Sequence, residues 1–137
     1  THLIPSAMLA AQGRRGPLEL YGTDYPTRDG TAERDYIHVS DLAAAHVLAV
    51  GYLAGGGKST ALNLGSEKGA TVREVLQAVE EVSARKVPYV ERPRRAGDAI
   101  ALRASAKLAH ETLGWKPVMS DLRTICETAW NWYSHAR

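Results

Sequence analysis

The stretch that most constrains the fold is residues 34–46, RDYIHVSDLAAAH. Tyr36, Ile37 and Val39 favour an extended strand. Ser40 is a good helix N-cap, and Asp41 places a carboxylate in the first turn, where the backbone dipole favours it. Leu42, Ala45, His46, Ala49 and Leu53 then recur at helical spacing and make one apolar stripe. A short strand running at once into a slim, alanine-rich helix predicts an α/β chain, with this helix lying close against a sheet. Arg34 sits just ahead of the strand, where a strand mouth can present a guanidinium to a ligand.

The flanking segments extend this pattern. Residues 1–12 read as a helix, with Pro5 in the first turn and Ile4, Met8 and Ala11 on its apolar face. Its unpaired backbone N–H groups near His2 and Leu3 read either as an anion site or as an ordinary helix start. Residues 18–21 predict a short strand. Residues 22–33, GTDYPTRDGTAE, form a turn-rich loop that reads as a functional lid or rim, or as a plain surface hairpin. Residues 55–59, GGGKS, invite comparison with a phosphate-binding loop, but the position that needs the first Gly holds Tyr52. The stretch also follows a helix where such a loop follows a strand, so it predicts a connector. Residues 61–64 read as a short buried strand.

Thr71 and Glu74 match a capping box. It opens a helix with Val72, Val75, Leu76, Val79 and Val82 on one face and Arg73, Gln77, Glu80 and Glu81 on the other. Residues 86–90 predict a strand leading into residues 92–98, RPRRAGD. Guanidinium groups bind phosphate oxygens bidentately, a carboxylate accepts from sugar hydroxyls, and Gly97 lets the backbone pass close to a ligand. The same charges also read as a self-paired surface loop. Residues 105–113 predict a helix ended by Gly114, with Trp115 over the core edge. Ser120 is the predicted cap of a last helix whose buried stripe is Leu122, Ile125, Cys126, Ala129 and Tyr133.

Composition narrows the function classes. A chain of 137 residues has a one-domain length, and 45% hydrophobic with 23% charged residues permits a packed core. A net charge of +2, without a basic cluster interleaved with aromatics, gives no case for nucleic acid. One cysteine excludes an internal disulfide framework and suits a reducing, cytoplasmic compartment. No apolar run is long enough for a bilayer and no signal-peptide pattern is present, so no membrane role is expected. The chain opens at Thr1 almost directly into a helix pattern, which reads as the middle of something longer. There is no dinucleotide-binding glycine fingerprint and no nucleophile elbow. No Tyr has a Lys four residues later. His2, His38, His46, His110 and His135 lack metal-ligand spacing. Position by position, the residues support an α/β module for a phosphorylated, hydroxyl-rich ligand.

In order along the chain, THLIP, LYGTDYPTRDGTAERDYIHVSDLAAAH, ALNLGSEKGATVREV, RRAGD and LGWKP resemble the carboxyl-terminal part of the UDP-glucose 4-epimerases. These belong to the extended short-chain dehydrogenase/reductase group. The long central motif is the most diagnostic; YIHVSDLA and RRAGD alone mark the broader group. The resemblance implies an α/β fold with a small mixed sheet and packed helices, the C-terminal part of the group's fold without most of its Rossmann domain. Residues 1–137 are then the UDP-sugar-binding portion. Residues 34–64 complete the edge of the absent Rossmann domain, and the alanine-rich helix is the face left bare.

The family's glycine fingerprint for NAD and its catalytic Tyr, Lys and Ser or Thr lie in the missing amino-terminal domain. The resemblance therefore assigns this chain no catalytic, cofactor-binding or metal-binding residue. It implies that His2 and Leu3 approach the diphosphate of a UDP-sugar, that Glu19 and Tyr21 line the uracil pocket partly through backbone groups, and that Arg34 and Arg95 contact the diphosphate. Asp98 matches a carboxylate on the uridine ribose. Leu102 stands where some members carry Tyr, which implies room for a bulkier, N-acetylated sugar. In the intact, homodimeric parent the reaction interconverts UDP-glucose and UDP-galactose through transient oxidation at the sugar C4 by bound NAD. The isolated chain is expected to be inactive. Two alternatives remain: a fragment of another UDP-sugar-modifying dehydratase or decarboxylase, or a non-enzymatic module that pairs with a separate Rossmann chain.

Overall fold

Two small sheets and five helices organise the chain, and the computed structural model describes residues 2–135. The predicted start at Thr1, like residues 136 and 137, lies outside the described residues. The helices are α1 (Leu3–Ala11), α2 (Val39–Ala54), α3 (Val72–Ser83), α4 (Lys107–Leu113) and α5 (Leu122–His135). The strands are β1 (Leu18–Tyr21), β2 (Glu33–Asp35), β3 (Gly69–Thr71), β4 (Tyr89–Arg92) and β5 (Ala101–Leu102). β1 pairs with β4 in parallel, Leu18 opposite Tyr89. β2 is the centre of the mixed sheet, antiparallel to β3 and parallel to β5.

The main core lies between α1, α3, α5 and β1. Ala7, Met8, Val75, Val79 and Cys126 are fully sealed there. α3 has the predicted amphipathic face, with Val75, Leu76, Ala78 and Val79 buried. Its capping box is complete: Thr71 Oγ1 accepts from Glu74 N at 3.2 Å, and Glu74 Oε2 accepts from Thr71 N at 2.9 Å. Burial pushes the Cys126 thiol up to about 11, which suits its reading as a small apolar residue. A second, smaller cluster gathers Ala45, Ala106, Ala109 and Trp115, with Leu62 and Leu64 against it.

Several local expectations shift. The strand expected over Tyr36, Ile37 and Val39 lies just before them, at Glu33–Asp35, because β2 is fixed by its partners Ala101 and Gly69 and not by its own propensity. α2 begins at Val39 with His38 as N-cap: the His38 ring, not Ser40, accepts from Ser40 N at 3.0 Å. Asp121 replaces Ser120 as the cap of α5, accepting from Thr124 N at 2.9 Å. Residues 61–64 form no strand among the described residues, although Leu62 and Leu64 point inward as a strand's alternation requires. The strand expected over 86–90 is β4, displaced toward the arginine loop.

α2 is largely bare. Val47 is 72% exposed and Val50 68%, and only Asp41 and Ala45 are buried. Its first turn is held by the Asp41 carboxylate, which accepts from Val118 N at 3.0 Å and Met119 N at 2.9 Å and from Ser120 Oγ. Trp115 Nε1 donates to Asp41 O at 2.8 Å. Burial alone would raise the Asp41 carboxyl; the hydrogen bonds from Ser120, Val118 and Met119 outweigh it and hold the group below the usual carboxylate range.

Candidate functional site

The turn-rich segment 22–33 is braced as a rim and is not a loose hairpin. Gly30 has φ +83°, and a Cβ there would stand 2.2 Å from Thr23 O, so this turn needs glycine. Asp29 Oδ1 accepts from Thr31 N at 2.9 Å, and its other oxygen accepts from Thr71 Oγ1. Arg28 reaches across to Glu33 at 2.7 Å, to Gly69 O at 2.8 Å and to Glu74. Glu33, nearly sealed, also pairs with Arg103. Arg103 and then Arg28 hold the Glu33 carboxylate below its ordinary range, against the opposing effect of burial. This bracing fixes β2 and hence Arg34.

Arg34 Nη1 donates to Glu33 O at 2.7 Å and Ala99 O at 2.8 Å. Its Nη2 stands 3.9 Å from Asp98 Oδ1, leaving that carboxylate free to accept elsewhere. The two adjacent arginines of RRAGD part company. Arg94 turns outward to Asp24 Oδ1 at 2.8 Å and stacks 4.3 Å from the centre of the Tyr25 ring. Arg95 turns inward and lies 3.6 Å from the centre of the Tyr21 ring. Gly97, at φ +84°, lets the chain double back so that Asp98 returns toward Arg34. On β1, Tyr21 Oη donates to Glu19 Oε2 at 2.6 Å and Arg92 Nε to Oε1 at 3.0 Å. The Tyr21 bond, then Arg92, hold the Glu19 carboxyl below its usual range.

These groups surround one cavity of about 430 Å³. Leu3, Glu19, Tyr21, Arg34, Arg95 and Asp98 all line it. His2, exposed, is the residue just before Leu3 and caps α1 without a side-chain hydrogen bond. Leu102 faces a neighbouring cavity of about 340 Å³, which Arg34 also lines. Three polar residues lining the cavity were not among the sequence-predicted site residues: Ser6, Arg15 and Tyr36. Tyr36 follows Arg34 by two, so it shares a side of the chain with it, and that spacing was the available signal. Burial pushes its hydroxyl up to about 12. Ser6 on a sealed helix face and Arg15 in a connector gave no comparable sign.

The cavity suits a diphosphate: two inward guanidinium groups at one end, a free carboxylate beside them and a helix start close by. Among the described residues no group of His, Cys, Asp or Glu is arranged to hold a metal. None of the three strand-to-helix connections, 36–38, the β3–α3 junction at Thr71 and 103–106, contains the glycine that a dinucleotide-binding turn needs.

The family model described as GDP-mannose 4,6 dehydratase matches residues 1–128. The chain belongs to this family. Within it, the chain is 54% identical over 136 residues to a UDP-glucose 4-epimerase of Rhizobium meliloti, covering 98% of this chain and 40% of that protein. A UDP-glucose 4-epimerase of Lacticaseibacillus casei is 49% identical over 135 residues, covering 98% and 41%. Among solved structures, a UDP-glucose 4-epimerase from Brucella ovis in complex with NAD superposes with a TM-score of 0.94 at 53% identity, over 97% of this chain and 41% of that one. The Bifidobacterium longum epimerase in complex with NAD+ and UDP gives a TM-score of 0.89 at 36% identity, over 98% and 40%. The chain spans about 40% of the length of the curated relatives it matches and corresponds to their carboxyl-terminal part.

Proposed function

We propose that this chain is the UDP-gripping portion of a UDP-glucose 4-epimerase, an isomerase of UDP-glucose and UDP-galactose. The observation that carries the reading is the common cavity. Groups from α1, β1, β2 and the loop between β4 and β5, far apart in sequence, meet around one space with the charge pattern of a diphosphate site. The relatives named as epimerases, one of them solved with UDP, add their support.

In this reading Arg34 and Arg95 hold the diphosphate and the backbone at His2 and Leu3 approaches it. Asp98 accepts from the ribose hydroxyls, and Glu19 and Tyr21 line the uracil. Leu102 bounds the sugar in the adjoining cavity, with space for an N-acetyl group. The chain supplies grip and no bond-making group: binding energy from the nucleotide keeps the sugar in place while its C4 reacts elsewhere. NAD belongs to a Rossmann domain outside these residues. Residues 61–64 have no ladder partner among the described residues and α2 presents uncovered apolar side chains, which supports residues 34–64 completing the edge of that domain. The parent is a cytoplasmic homodimer. Among the described residues no helix is long and apolar enough to cross a membrane.

Titration calorimetry tests the grip. The 137-residue chain binds UDP, and Arg34→Ala and Arg95→Ala each weaken it at least about tenfold, as loss of a charge-assisted contact requires. Undiminished binding in both variants refutes the site. The pure chain with NAD produces no UDP-galactose; turnover would show that bond-making groups had been overlooked. A dehydratase parent, the activity that the family description names, or a decarboxylase parent would use the same grip and is separated by the product formed once a Rossmann domain is joined.

A further inference from the structure

Ser6 is the one polar residue lining the cavity that is itself nearly sealed, at 6% exposed. Its backbone N–H donates to His2 O at 3.1 Å, as the first turn of a helix requires. A helical hydroxyl commonly folds back on a carbonyl of the preceding turn, as Thr128 does on Thr124 O and Ile125 O in α5. Ser6 Oγ makes no such bond and has no other partner among the described residues. The sealed side-chain atom left unpartnered among those residues is Tyr25 Oη, so Ser6 Oγ is not shut in: it opens on the cavity.

The helix itself aims this hydroxyl. Side chains of an α-helix tilt toward its amino terminus, and a serine side chain is too short to turn far from that direction. Ser6 follows Leu3 by three residues, so the two share a face of α1, and both line the cavity. Ser6 Oγ therefore lies over the turn that opens α1. That turn is short of a donor, because Pro5 has no N–H. Taking the diphosphate at the start of α1, which rests on the function proposed above, its oxygens are strong acceptors and a hydroxyl can donate to them. We propose that Ser6 is a further ligand-binding residue, its hydroxyl donating to a phosphate oxygen of the nucleoside diphosphate in place of the N–H that Pro5 lacks.

The test is Ser6→Ala in the full chain, with UDP as the probe. The change removes one oxygen at a helical position where alanine is the better helix former. A hydroxyl that bonds nothing in the fold contributes no bond to it, so the urea midpoint of the free chain stays at the wild-type value or rises. Titration calorimetry should show UDP binding weakened about tenfold, the worth of one hydrogen bond to a charged group. Nuclear magnetic resonance of saturating UDP locates the lost contact: the phosphorus resonances of the bound nucleotide move between wild type and Ser6→Ala, and its uracil ring protons stay in place. Unchanged UDP affinity overturns the proposal. So does weaker binding accompanied by a lower urea midpoint, which marks a structural serine, or by shifted ring protons with unmoved phosphorus, which marks a contact to the base. If wild type binds no UDP, the function proposed above falls and this inference with it, an outcome distinct from a loss confined to Ser6→Ala.

Discussion

α3 and α2 are both rich in valine, leucine and alanine, yet they spend these residues differently. On α3 the apolar positions form one stripe, and Val75 and Val79 are sealed against α1 and α5. On α2 they run around the helix. Val39, Leu42, Val47, Leu48, Val50 and Leu53 stay exposed, and the small residue Ala45 makes the inward contact. A helix apolar all round belongs in the middle of a larger assembly. α3 is thus held by what it buries, whereas α2 is held at its amino-terminal end, through the His38 cap and the Asp41 carboxylate.

The sharpest contrast comes from the core. Met8→Ala removes a fully buried side chain and is expected to cost about 3 kcal/mol, read from urea unfolding. A loss below about 1 kcal/mol would mean that the α1–α3–α5 core is loose and the contrast false. Next is Asp41→Asn, expected to cost about 2 kcal/mol at pH 7 by weakening the bonds that anchor α2. Asp41 is held below the usual carboxylate range in the folded chain. Its contribution is therefore complete above the unfolded value of about 3.9 and fades as pH falls through the lower folded value. Unfolding curves of wild type and Asp41→Asn should converge in acid; parallel curves would remove the carboxylate from the account.

Thr71→Ala breaks the capping box and is expected to cost about 1 kcal/mol, with Thr71→Ser restoring most of it. The smallest effect on stability is Val50→Ser on α2, within about 0.5 kcal/mol of wild type. Its readout is sedimentation: wild type should self-associate more, because the bare apolar face seeks cover. A large destabilisation by Val50→Ser would show that the face is already in use.

Elements whose signals are local were readable from sequence. Thr71 with Glu74 marked the start of α3, and Gly114, in the left-handed conformation at φ +67°, marked the end of α4. The short strands were not, because a two- or three-residue strand exists only where a distant partner meets it. β5 is two residues opposite Glu33 and Arg34, and nothing in Ala101 or Leu102 announces it. Residues 61–64 show the converse, strand-like residues with no ladder partner among the described residues. The cleft was legible through likeness to a family more than through chemistry. Arg95 and Arg94 are indistinguishable in sequence, and only Asp24 and Tyr25 on the rim decide which one turns away. Arg15 lay in a connector with no pattern to mark it.

The arginine loop has both ends tied into hydrogen-bonded ladders, β4 in one sheet and β5 in the other. It is therefore a tether of fixed length between two otherwise separate platforms. A change in the spacing of the two sheets must be absorbed at Gly97, and would swing Arg95 and Asp98 together as the jaws of one caliper.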